Sequence, residues 1–216
     1  MVTYAIIALN VLVFVYELLL DSVGGLTTFL TTWGVVPARL LGEFSAVELL
    51  TLVTSMFLHS GLMHILGNML YLWIFGDNVE DRMGRLRFLC FYLLAGVGAG
   101  VAQMAADPNS VIPAVGASGA IAGVLGAYLL LYPHARIDTL VTWSFFVRLR
   151  AMPAVVVLGF WFVLQFLNGV LSFGVGQTGG VAWFAHIGGF ALGLLTVRLF
   201  ARRSDEMPSD RRPRYL

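Results

Sequence analysis

Six long apolar stretches, separated by segments that carry almost all of the charge, constrain the fold of this chain more than any other feature. They cover residues 5–20, 62–75, 88–106, 117–132, 152–173 and 181–199. Most come within a turn or two of the roughly 20 residues that cross a hydrocarbon core of about 30 Å. Only 12% of the 216 residues are charged, against about 25% in soluble domains. The sequence therefore predicts an all-α membrane protein, a bundle of six transmembrane helices.

The distribution of basic residues predicts how the helices are oriented. All 13 basic residues are arginines, and all but Arg39 fall between spans two and three, between spans four and five, or near and after the end of span six. By the positive-inside rule, both termini and those two loops face the cytoplasm. We expect the first span to be retained, because no basic residue precedes it and no small-x-small cleavage site follows it. The lack of a targeting extension favours a prokaryotic plasma membrane over an organelle.

The segments outside the spans divide the chain further. Residues 21–61 form a long outer loop that is apolar in places, so we expect it to associate with the outer leaflet. Residues 1–200 are predicted to form one six-span domain. Residues 201–216 are polar and contain two prolines, which predicts a disordered cytoplasmic tail.

Four polar residues within or beside the spans are candidates for function, because a polar side chain is costly in hydrocarbon. They are His64, Asn68, Ser118 and His186. Each has a simpler explanation when it is taken alone. His64 and Asn68 share one helix face, where they can be structural, and a serine in an apolar helix commonly bonds a carbonyl one turn back.

Their predicted positions coincide, however. Spans two, four and six all run inward, so all four residues lie near outer ends. Ser118 precedes Pro133 by 15 residues and His186 precedes Arg202 by 16. At 1.5 Å per residue, both lie roughly 22 to 24 Å above the cytoplasmic edge. Small residues along both spans predict that the two helices pack closely: Gly119, Ala122, Gly123, Gly126, Gly189 and Gly193.

These residue types suit nucleophilic catalysis. A serine hydroxyl needs a base to take its proton, and a neutral histidine is the usual one. We therefore expect a dyad of Ser118 and His186, with His64, Asn68 and the Ser118 N–H as candidate donors to an oxyanion. A Ser–Lys dyad is excluded because the chain has no lysine, and HExxH is absent. The single cysteine, Cys90, is expected in the apolar core, and no metal or cofactor is predicted.

Four motifs in order complete the pattern. They are His64-x-x-x-Asn68, Gly76-x-x-x-Glu80-x-x-x-Gly84, Gly116-x-Ser118-Gly119 and Ala185-His186-x-Gly188-Gly189. Together on a six-span scaffold, they resemble the rhomboid family of intramembrane serine proteases. The resemblance implies a Ser118 nucleophile, a His186 base, and an oxyanion hole of His64, Asn68 and the Ser118 amide.

The resemblance also implies substrates that are membrane-anchored proteins, cut at or near the outer end of their transmembrane segment. Partners are therefore transmembrane proteins and the lipid bilayer, without nucleic acid, and the oligomeric state is left open. Structural roles are implied for Gly116, Gly119, Gly189, Glu80 and His59.

The chain departs from many relatives at two points. Trp33 and Arg39 are separated where relatives carry a Trp-Arg pair, and Ala122 stands where relatives place an aromatic residue that stacks on the histidine.

Two alternative functions are kept. A catalytically silent relative that binds membrane proteins would typically lack the serine or the histidine. A small transporter would place polar residues along a path through the membrane.

Overall fold

The computed structural model describes residues 1–143, 146–175 and 181–202. These residues form nine α-helices, one 3-10 turn (Ser55–Phe57) and two strands. The helices are α1 (Val2–Ser22), α2 (Leu26–Trp33), α3 (Pro37–Gly42), α4 (Ala46–Thr54), α5 (Leu62–Met83), α6 (Arg85–Ala106), α7 (Ser118–Leu131), α8 (Ala154–Val175) and α9 (Trp183–Phe200). The predicted tail lies outside the described residues from position 203 onward.

The described helices include several that are able to span a membrane. Helices α1, α6, α8 and α9 are long and apolar enough, and α4 with α5 forms a pair, bent by 82°, that counts as a fifth candidate. Helix α7 has 14 residues, so its length of about 21 Å falls short of a hydrocarbon core of about 30 Å. A mostly helical membrane protein is confirmed, whereas the count of six spans stays a prediction.

Helix α7 lies at the centre of the bundle, against α5, α6 and α9. Every residue from Gly119 to Tyr128 is buried, as expected for a helix that is apolar on all sides. Cys90 is exposed on α6 rather than in the core. In a membrane protein the outer surface is also apolar, so an apolar sequence context did not distinguish the core from the lipid-facing side.

The segment predicted as a long outer loop contains the short helices α2, α3 and α4. Arg39 connects these helices. Its Nε donates to Glu48 Oε2 at 2.8 Å, and its guanidinium also donates to the Thr31 carbonyl at 2.7 Å. A cation at the end of a helix satisfies carbonyls that have no partner within the helix. Thr54 Oγ1 also donates to the Trp33 carbonyl. The loop is thus anchored without an adjacent Trp-Arg pair.

Two antiparallel strands, β1 (Arg136–Trp143) and β2 (Phe146–Pro153), lie between α7 and α8. Their register pairs Arg136 with Pro153 and Trp143 with Phe146. The sequence predicts a connection between two spans over most of this stretch and gives no prediction of β structure. The strands leave the bundle itself all-helical.

Glu80 ties the start of α1 to the end of α5. Its carboxylate accepts hydrogen bonds from the backbone N–H groups of Val2 and Thr3 and from Thr3 Oγ1, each at 2.8 Å. The first N–H groups of a helix have no partners within the helix, and a carboxylate also interacts favourably with the positive end of the helix dipole. Glu80 therefore caps the start of α1, and the structural role expected for it stays a prediction.

Candidate active site

Ser118 and His186 lie within hydrogen-bond distance although 68 residues separate them. The Ser118 Oγ is 2.8 Å from Nε2 of His186. Ser118 is the first residue of α7, and His186 lies in the first turn of α9. N–H groups in the first turn of a helix lack partners within the helix. The backbone N–H of Ser118 can therefore donate to a ligand that lies beside the Ser118 hydroxyl.

Glycines allow α7 and α9 to approach closely enough for this contact. A Cβ at position 189 would overlap the carbonyl oxygen of Gly119, and one at position 193 would overlap that of Gly123. Backbones that touch in this way require residues without side chains at the crossing. The close packing predicted from the glycine pattern is therefore observed, and it lies one turn below the dyad.

His64 faces Ser118 from α5, across Gly116. Gly116 has φ of +127°, and a Cβ there would lie 2.7 Å from His64 Nε2, so glycine serves both the backbone conformation and the close approach. The backbone N–H of Ser60 lies 3.4 Å from His64 Nδ1. Ser60 Oγ lies closer to the same nitrogen, at 3.0 Å, and a hydroxyl can either donate or accept. In the tautomer in which Nδ1 accepts from both groups of Ser60, the ring proton is on Nε2, and His64 presents a donor on the Ser118 side.

Asn68, one turn after His64 on α5, lines the cavity beside Ser118. Its Nδ2 is buried and has no hydrogen-bond partner among the described residues. A buried amide N–H without a partner is costly, and it calls for a functional explanation. Asn68, His64, Ser118 and His186 all line one cavity of about 780 Å³. The structure therefore brings together the four polar residues selected from the sequence.

His59 packs against His64 on the side of the turn that precedes α5. It is 1% exposed, its ring packs edge to face on that of His64 with centroids 5.1 Å apart, and its backbone N–H donates to Glu17 of α1 at 3.0 Å. These contacts hold the turn that precedes α5. Both ring nitrogens of His59 are buried without a hydrogen-bond partner among the described residues, so the structural role expected from the sequence stays a prediction.

The His186 ring is held by residues of α8 and α9. Its Nδ1 lies 2.7 Å from Gln165 Oε1, and its ring centroid lies 5.9 Å from that of Trp161 and 6.3 Å from that of Trp183. Ala122 has no aromatic ring to stack on the histidine. The two tryptophans and Gln165 surround the ring instead.

Two glutamines that contact His186 or the residue before it were not predicted from the sequence. Gln165 contacts His186 directly, and Gln103 of α6 accepts from the Ala185 N–H at 3.2 Å, next to the base. Both side chains are mostly buried. The signal that identified the histidines, a polar residue within an apolar stretch, also applied to them.

Comparison with known proteins agrees with the sequence motifs. The family model described as the Rhomboid domain matches residues 46–203. The chain is 34% identical over 211 residues to Rhomboid protease GluP of Bacillus subtilis, covering 93% of this chain. It is 28% identical over 200 residues to Rhomboid protein 1, mitochondrial, of Saccharomyces cerevisiae, covering 89% of this chain.

A further relative, RHOMBOID-like protein 6, mitochondrial, of Arabidopsis thaliana, is 32% identical over 143 residues, which cover 66% of this chain. The matched regions span 36% of the Bacillus protein, 40% of the Arabidopsis protein and 51% of the yeast protein. The chain thus corresponds to about a third to a half of the length of each of these relatives. With a domain match over most of its length and a relative matched along almost all of it, the chain belongs to the rhomboid family.

Proposed function

We propose that this chain is an intramembrane serine endopeptidase that cleaves membrane-anchored proteins at or near the outer end of their transmembrane segment. The observation that carries the proposal is the 2.8 Å contact between Ser118 Oγ and His186 Nε2 in a cavity that His64 and Asn68 also line. Six spans with cytoplasmic termini, in a prokaryotic plasma membrane, are part of the proposal. It draws support from the clustering of arginines and from the family.

The first half of the reaction is acylation. Ser118 Oγ attacks the carbonyl carbon of the scissile peptide while its proton passes to His186 Nε2. The carbonyl oxygen becomes an oxyanion, which accepts from the Asn68 amide, His64 Nε2–H and the Ser118 backbone N–H. His186 then gives its proton to the leaving nitrogen, and the C–N bond breaks. The products are an acyl-serine and a free amine.

Deacylation reverses these roles with water as the nucleophile. His186 takes a proton from water as the hydroxide attacks the acyl carbon, the same donors hold the second oxyanion, and Ser118 regains its proton as the ester bond breaks. Water is therefore needed beside a site that is largely apolar. Ser60, which is exposed, lines the cavity beside His64 and offers a polar side to it.

A cleavage assay in proteoliposomes tests the proposal. The substrates are single-span proteins with small residues and a helix-breaking residue near the outer end of the span. We expect the wild type to release products that mass spectrometry maps to that end, and Ser118→Ala and His186→Ala to release none. Ser172→Ala is the matched control, because its hydroxyl bonds the Gly169 carbonyl on the same helix, α8.

Two results would contradict the proposal. Cleavage by folded Ser118→Ala at the wild-type rate would exclude Ser118 as the nucleophile. A folded wild type that cuts no substrate of the panel and does not react with serine-directed reagents would favour a catalytically silent protein that binds membrane proteins.

A further inference from the structure

We propose that Gln165 is a positioning residue for the Ser118–His186 dyad, acting from α8 to fix the tautomer and orientation of the His186 ring. The inference rests on the proposed function and adds a third residue to it. The contact that carries it is the 2.7 Å separation between Gln165 Oε1 and His186 Nδ1.

The chemistry of this contact sets the position of the ring proton. An amide oxygen only accepts hydrogen bonds, so the Nδ1 of a neutral His186 carries the proton. The lone pair is then on Nε2, which faces Ser118 Oγ at 2.8 Å. This tautomer is the one that can remove the serine proton. The opposite tautomer would direct an N–H at the nucleophile.

A neutral amide suits this position better than a carboxylate. Among the described residues, Gln165 and Ser118 are the hydrogen-bond partners of the His186 ring, and Gln165 is only 9% exposed. Burying a carboxylate beside a base that is neutral at rest carries a large desolvation cost. An amide oxygen selects the same tautomer without burying a charge.

The position of Gln165 makes α8 part of the catalytic arrangement. Ser118 lies on α7 and His186 on α9, so the orienting oxygen comes from a third helix. Trp161, one turn before Gln165, packs near the same histidine ring at 5.9 Å and near Phe190 of α9 at 6.0 Å. The orientation of the His186 ring therefore depends on the packing of α8 against α9.

The first test measures how fast a fluorophosphonate reacts with Ser118 in the full chain. Gln165→Met keeps much of the volume of glutamine and removes the acceptor oxygen, and we expect it to slow the reaction about tenfold, the scale of one lost hydrogen bond. Gln165→Glu keeps an acceptor oxygen in either protonation state, so it should react faster than Gln165→Met, while the cost of burying a carboxyl group there lowers the free energy of unfolding. Asn168→Leu is the control, because Asn168 bonds the Leu164 carbonyl on the same helix. It should react as the wild type does.

The second test reads the tautomer itself, by nitrogen NMR of protein labelled at its four histidines, with His186→Asn used to assign the signal. We expect protonated Nδ1 and unprotonated Nε2 at His186 in the wild type, and a mixture in Gln165→Met. Protonated Nε2 in the wild type, or Gln165→Met reacting at the wild-type rate with an unchanged tautomer, would overturn the inference. So would a slower Gln165→Met in which the tautomer is unchanged, because Gln165 would then not determine the position of the ring proton.

These outcomes separate the inference from the proposed function. A wild type whose Ser118 does not react at all would remove the proposed function, and the tautomer measurement would still report on the Gln165 contact. A reactive wild type beside an unaffected Gln165→Met would leave the proposed function standing and remove only the inference.

Discussion

Replacing Gly189 with alanine should separate the dyad without touching either of its members. Gly189 lies three residues after His186 on α9, against Gly119, which follows Ser118 on α7. A Cβ at position 189 would overlap the Gly119 carbonyl oxygen, and it would lie 3.0 Å from the carbonyl carbon and 3.4 Å from the Ala99 Cβ. Ordinary carbon contacts are about 3.5 to 4.0 Å. Relieving the contact with the carbon alone moves helix α9 away by about 0.5 to 1 Å, and relieving the overlap with the oxygen requires at least as much.

That movement is large enough to matter for catalysis. Added to the 2.8 Å between Ser118 Oγ and His186 Nε2, it stretches the contact to about 3.3 to 3.8 Å, beyond the usual hydrogen-bond range. Misplacement by about 1 Å can lower a catalytic rate by about 100-fold. The overpacked crossing should also lower the free energy of unfolding by about 1 to 3 kcal/mol.

The assay compares fluorophosphonate reaction rates and thermal unfolding of Gly189→Ala with those of Gly159→Ala. A Cβ at Gly159 on α8 meets nothing within 4 Å, so this control should react as the wild type does. A folded Gly189→Ala protein that reacts at the wild-type rate would refute the reasoning, because the dyad would then not depend on the close contact between α7 and α9.

Three further changes test other contacts. Asn68→Ala should lower the cleavage rate by about 100-fold or more with little change in KM, since an oxyanion donor acts mainly in the transition state; an unchanged rate would remove Asn68 from that role. Glu80→Gln should lower stability by about 1 to 3 kcal/mol, because one acceptor at the start of α1 is lost, while Ser118 in the folded fraction reacts normally. Arg39→Ala should expose the 26–54 segment to proteases, because the Glu48 ion pair and the cap on α2 are lost; resistance equal to the wild type would show that this anchor is dispensable.

The polar residues selected from the sequence were predictable because hydrocarbon makes each of them conspicuous. His64, Asn68, Ser118 and His186 stand out in apolar surroundings, and the glycines beside two of them indicate which helices touch. The same rule, applied to every polar residue, would have added Gln165, although its partner depends on how α8 is rotated. Helix rotation is set by packing among many apolar side chains, which periodicity alone does not determine.

Other features of the fold depend on contacts distant in sequence. The anchoring of Arg39 to the α2 carbonyls and to Glu48 requires α2, α3 and α4, whose boundaries are weakly marked in a segment of mixed polarity. The strands β1 and β2 lie between two apolar helices, where the sequence predicts a loop that connects two spans. The exposure of Cys90 could not be predicted for a different reason: in a membrane protein, lipid-facing and core positions carry similar side chains.

Treatment of the purified full chain with a serine-directed fluorophosphonate, followed by mass spectrometry of the adduct, tests the proposed dyad most directly. We expect one adduct, on Ser118, in the wild type and none in folded His186→Ala, because the hydroxyl is activated only when Nε2 of His186 accepts its proton. A Ser118 adduct that forms equally fast without His186, or the absence of any adduct in folded wild type, would contradict a Ser118–His186 dyad.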